Sequence, residues 1–144
     1  MPDGVAVAPT EREALDAYSQ IVSTVAERVL PSVASLRVRR AGSPRNGGSG
    51  SGVVITPGGY LVTSAHVVAQ AGTASASFID GTEYELDIVG ADPLSDLAVA
   101  RARSAVLEPI HIGDADTLRV GQLVVAIGNP MGFSGSVTSG VISG

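Results

Sequence analysis

An all-β chain, with a closed antiparallel barrel behind one N-terminal α-helix, is what this sequence predicts. Three observations carry that expectation. Eighteen Gly and eight Pro punctuate the 144 residues, a density of turn formers that suits many short strands. About six apolar segments between Ala34 and Arg101 alternate with those turn signals, which fits a barrel closed on itself. Residues 10–31 instead show apolar positions at helical spacing.

Residues 1–9 form a disordered-looking lead. Thr10-Glu11-Arg12-Glu13 has the pattern of a capping box, in which the Thr10 hydroxyl accepts a backbone N–H and Glu13 reaches back. Leu15, Tyr18, Val22, Val25 and Val29 then make one apolar stripe, and Pro31 ends the helix. Such a stripe serves a partner helix or the chain's own domain, and docking onto its own domain is the expectation. Ala34, Leu36 and Val38 begin the first strand, with Arg37 and Arg39 on its solvated face. The Gly/Ser-rich stretch Ala41–Gly52 reads as a flexible loop. Gly48-Ser49-Gly50-Ser51-Gly52 lacks phosphate-loop spacing, and the strand Val53-Val54-Ile55 follows it instead of a helix.

Thr56-Pro57-Gly58-Gly59 is a tight turn, and Tyr60 to Thr63 returns as a strand. Further strands are expected at Ala74–Ile79, Tyr84–Gly90 and Leu97–Arg101, the first two joined by an Asp80-Gly81 turn. Asp114-Ala115-Asp116 reads as a polar turn, since Leu118 breaks a calcium loop. Gln122–Ile127 and Ser136–Ile142 are two more strands with no obvious partners, as at the start of an unfinished second barrel. The expected organisation is therefore a lead at 1–9, a helix at 10–31, a first barrel at 32–118 and the opening of a second at 119–144.

Composition excludes several chemistries. With no Cys, there is no disulfide, no thiolate metal site and no cysteine nucleophile. The two His stand far apart, so no His-Glu-x-x-His zinc motif exists. No cofactor and no metal is expected. The net charge is −5, every basic residue is Arg, and none stands between Arg45 and Arg101. That balance argues against nucleic acid as a partner. No apolar run reaches transmembrane length, and the first residues lack the layout of a signal peptide.

The chemistry lies in Val62-Thr63-Ser64-Ala65-His66-Val67 and Ser95-Asp96-Leu97-Ala98-Val99, each at the end of an apolar strand. A histidine followed by an aspartate gives two thirds of a nucleophilic triad in the order His…Asp…Ser. The imidazole takes the proton of a serine hydroxyl as it attacks, and the carboxylate fixes the imidazole's tautomer. The expected site is His66 as general base and Asp96 as its orienting carboxylate. No Gly-Asn-Ser-Gly-Gly or Gly-Asp-Ser-Gly-Gly occurs before Gly144. His111, in Pro109-Ile110-His111-Ile112, lacks such a setting and reads as a strand or surface histidine.

On these motifs the chain resembles the trypsin-like serine proteases, in particular the HtrA/DegP-like branch. Thr63-Ser64-Ala65-His66 is similar to the Thr-Ala-Ala-His of the wider clan, with Val67 where the secreted animal enzymes carry a disulfide cysteine. Asp92-Pro93-Leu94-Ser95-Asp96-Leu97-Ala98-Val99 resembles that branch's aspartate motif. Gly113 to Asp116, Leu118 to Gly121, Val125 to Pro130 and Val137 to Ser143 resemble its connector and following strand. The resemblance implies a chymotrypsin-like double barrel, polypeptide substrates and homotrimeric assembly, in a branch whose members usually work outside the cytoplasm. It also implies that the serine, its oxyanion hole and any PDZ domain lie after Gly144, so residues 1–144 alone would be inactive. Two functions follow: a serine endopeptidase of protein quality control, or a proteolytically dead relative serving as a binding scaffold.

Overall fold

The structure, a computed structural model, describes residues 10–129 and 135–144, and their side chains except at 44–46. The lead expected at 1–9, the side chain of Arg45, and Pro130, Met131 and Gly132 lie outside the described residues.

Helix α1 runs from Glu11 to Val29 and opens with the expected capping box: the Glu13 backbone N–H donates to the Thr10 hydroxyl, and the Thr10 N–H to the Glu13 carboxylate. Pro31 falls in a 3-10 turn, Leu30–Ser32, that leads into the barrel. The helix lies against a later strand, and its Tyr18 hydroxyl meets the Ser139 hydroxyl. Docking is nevertheless shallow. Val22, Val25 and Val29 are half-buried while Leu15 and Tyr18 stay exposed, so only the C-terminal half of the stripe is covered.

The barrel consists of β1 (Val33–Arg40), β2 (Ser43–Val54), β3 (Tyr60–Thr63), β4 (Ala71–Ser77), β5 (Glu83–Asp92) and β6 (Leu97–Ala102). These close in the order β1-β2-β3-β6-β5-β4, and every pairing is antiparallel. A short helix, α2 (Ala65–Val68), follows β3. Alternation decides the faces: Ala34, Leu36 and Val38 point into the core, and Arg37 and Arg39 remain exposed. Alanines at 74, 76, 98, 100 and 102 share the interior with Leu36, Leu61, Val54, Phe78 and Leu86. Small residues on β4 and β6 opposite larger ones on β1 and β3 let the interior of a narrow barrel fill.

Two expectations are corrected. Beyond the Ala41-Gly42 turn, the stretch Ala41–Gly52 is no loop. Ser43 onward is β2, and Gly47 to Gly52 pair residue by residue with Arg39 to Ala34. Composition alone suggested flexibility, but here glycine answers to crowding. A Cβ on Gly47 would sit 1.9 Å from the Val38 carbonyl oxygen, one on Gly50 2.7 Å from Val67 Cγ2, and one on Gly52 3.1 Å from Leu36 Cδ1. Residue 47 in particular meets rigid backbone, so glycine is what permits the strand to pack there.

The second correction concerns the two last strands. β7 (Leu123–Gly128) and β8 (Ser136–Val141) are not partnerless, because they pair with each other, antiparallel, from Leu123↔Val141 to Gly128↔Ser136. A hairpin satisfies one edge of each apolar strand without help from the barrel. The Asp114 turn is as expected: it carries a 3-10 turn, Ala115–Thr117, with the Asp116 N–H donating to the Asp114 carboxylate. Among the described residues no helix is long and apolar enough to cross a membrane.

Candidate active site

Strand register brings the two expected site residues together. β3 and β6 are neighbours with Thr63 opposite Ala98. His66 comes three residues after Thr63 and Asp96 two before Ala98, so both emerge at the same end of one strand pair. His66 Nδ1 lies 2.8 Å from Asp96 Oδ2 and 3.0 Å from Oδ1.

Asp96 also holds the backbone that carries His66. Its Oδ1 accepts the His66 N–H at 3.0 Å, and its carbonyl oxygen accepts the Ala65 N–H at 3.1 Å. The first N–H groups of a helix have no partner within it. Ser64, at the N-cap position of α2, makes no side-chain cap bond. Asp96 therefore does from thirty residues away what a capping side chain does locally. Its φ of 56° is left-handed, a conformation that Asp tolerates better than most residues.

Electrostatics follow from those contacts. The Asp96 carboxyl is held below the usual carboxylate range, first by the His66 backbone N–H and next by the His66 imidazole. The pair is open to water, with 72% of the His66 side chain and 50% of the Asp96 side chain exposed. With Nδ1 engaged by the carboxylate, Nε2 is the nitrogen left to carry a lone pair outward.

Two supports were not foreseen from the sequence. Asp92 Oδ1 accepts the Leu94 N–H at 3.0 Å and Oδ2 accepts the Ser95 hydroxyl at 2.8 Å, folding the turn that delivers Asp96. The Asp-Pro-Leu-Ser order was the available signal, since Asp commonly bonds its own backbone two residues on. Beneath β3, the Thr63 hydroxyl donates to the Ser51 carbonyl at 2.9 Å. Nothing local in the sequence indicates that bond.

His111 is exposed, in the segment after β6, as expected for a surface histidine. A polar groove lined by Arg37, Arg39, Glu85 and Arg103, among others, includes neither His66 nor Asp96. Among the described residues no group of three or more His, Asp or Glu is placed to hold a metal ion.

The family model for the trypsin-like peptidase domain matches residues 50–144. The chain belongs to the trypsin-like peptidase family. Within it, the likeness is to the HtrA/DegP-like serine endoproteases. The protein named "Probable periplasmic serine endoprotease DegP-like" of Brucella suis biovar 1 (strain 1330) is 42% identical over 106 residues, which are 72% of this chain and 21% of the relative. Its namesake in Halomonas elongata is 46% identical over 94 residues, 65% of this chain and 20% of the relative. The solved structure "HtrA-type protease AlgW with tripeptide" superposes with a TM-score of 0.76 at 36% identity, covering 85% of this chain and 40% of the other. The chain thus spans about a fifth of the length of the curated relatives it matches.

Proposed function

We propose that these residues are the His/Asp-bearing part of a serine endopeptidase that hydrolyses peptide bonds in unfolded or misfolded polypeptides. His66 is the general base. Asp96 fixes its tautomer and stabilises the imidazolium that forms as the serine proton is taken up. His66 then returns that proton to the leaving amine, and water hydrolyses the acyl-enzyme by the same route. A segment outside these 144 residues supplies the serine and the oxyanion-hole amides. In this reading residues 32–118 are the first barrel and 119–144 open the second, whose remaining strands pair with the free edges of β7 and β8. Homotrimeric assembly belongs to the same reading.

What carries the proposal is the contact of His66 Nδ1 with the Asp96 carboxylate at 2.8 Å, combined with the capping of α2 by Asp96. A scaffold without chemistry would have no need of a carboxylate that both orients the imidazole and fixes its backbone. The test is labelling with a fluorophosphonate probe. The full-length protein should react and should cleave an unfolded protein such as casein, and residues 1–144 alone should do neither. Labelling of residues 1–144 would overturn the placement of the serine. A full-length protein that neither labels nor cleaves would favour the scaffold.

A further inference from the structure

One hydroxyl ties the His66 barrel to the hairpin that follows it. The Asn129 backbone N–H, just past the end of β7, donates to Ser51 Oγ at 2.9 Å across 78 positions of sequence. Asn129 is fully buried. Ser51 therefore satisfies a donor that water does not reach, and losing such a partner leaves the group's desolvation uncompensated. The same residue reaches the catalytic segment from its other end, because its carbonyl accepts the Thr63 hydroxyl three residues before His66. Its neighbour Gly50 adds the seat of α2: a Cβ there would lie 2.7 Å from Cγ2 of Val67, the residue after His66. Ser51 thus touches, through two separate atoms, the strand that presents the base and the residue just past β7, the strand that opens the second barrel.

We infer that Ser51 is a positioning residue for peptide-bond hydrolysis, setting the separation between His66 and the serine carried by the second barrel. The inference rests on the proposed function, since it requires a nucleophile placed after β8. A hydroxyl that merely stabilised the fold would alter how many molecules are active. One that sets the distance between base and nucleophile alters the rate of each active molecule, because a displacement of about 1 Å costs roughly 100-fold.

The experiment uses the full-length protein, with active sites counted by fluorophosphonate titration and kcat and KM measured on a peptide substrate. Ser51→Ala should lower kcat per titrated site roughly 10- to 100-fold with KM nearly unchanged. Ser51→Thr, which keeps the hydroxyl, should restore most of the rate. Ser51→Cys keeps the shape with a poorer acceptor and should fall between them; it decides the matter if Ser51→Ala does not fold. Wild-type kcat per site in Ser51→Ala, or in Ser51→Cys where the alanine variant is unfolded, would overturn the inference while His66→Ala remains inactive in the same assay. An active His66→Ala would overturn the protease reading and this inference with it.

Discussion

Asp96 grips His66 twice, by the imidazole and by the backbone. Its Oδ1 accepts the His66 main-chain N–H at 3.0 Å while Oδ2 lies 2.8 Å from Nδ1. The ring and the peptide that bears it are thus fixed by one carboxylate, and the Asp96 carbonyl holds the preceding residue as well.

Replacing Asp96 by Asn keeps an oxygen able to cap α2 but removes the charge and one acceptor at Nδ1. The expected result in the full-length protein is a fall in kcat of about 10,000-fold from the wrong tautomer, with the far-ultraviolet circular dichroism unchanged. Steady-state kinetics check it. A variant within tenfold of wild type would show that Asp96 serves the fold alone.

The lowered pKa of Asp96 makes a statement about acid stability. Its carboxyl titrates below its unfolded value, first because of the His66 N–H and then because of the imidazole. Such a group stabilises the folded state above its unfolded pKa, near 4, and that contribution fades as pH falls through the folded pKa. The stability difference between wild type and Asp96→Asn should therefore shrink from about pH 5 downward. Half the carboxylate side chain is exposed, so added salt should reduce the difference too. Urea titrations of the full-length protein across that range decide it, and a gap that stays level into acid would contradict the assignment of the shift.

Gly47 predicts a local steric penalty. A Cβ there would fall 1.9 Å from the Val38 carbonyl oxygen, and backbone has little room to yield. Gly47→Ala should destabilise the protein by about 1–3 kcal/mol, the usual range for overpacking. Gly90, on β5, has no atom within 4 Å of an added Cβ, and Gly90→Ala should stay within about 0.5 kcal/mol. Denaturant midpoints of the two variants measure the contrast, and equal midpoints would mean that β2 can shift to admit a side chain.

The barrel was legible because its signals are local. Ala34, Leu36 and Val38 alternate with Arg37 and Arg39, and Asp80-Gly81 marks its own turn, with Gly81 at a φ of 86°. β2 was hidden because a Gly/Ser run looks the same whether it is free or pressed against neighbours. Only the approach of Val38, Val67 and Leu36 separates the two cases. The pairing of β7 with β8 is hidden for a related reason, since an apolar strand does not name its partner and the register appears only where the two meet. His66 and Asp96 could be singled out by their places at strand ends. Their double contact could not, because it depends on β3 and β6 being neighbours. Ser51 gave no signal at all, its partners Thr63 and Asn129 being set by tertiary packing.

The role of His66 is open to one direct measurement: the rate of casein hydrolysis by the full-length protein with His66→Ala, set against wild type at equal concentration of folded protein. A general base held by Asp96 requires the variant to lose several powers of ten in rate, because the groups that remain can only bind and polarise the substrate. Hydrolysis at near the wild-type rate would contradict the assignment and remove the catalytic reading of the His66–Asp96 pair.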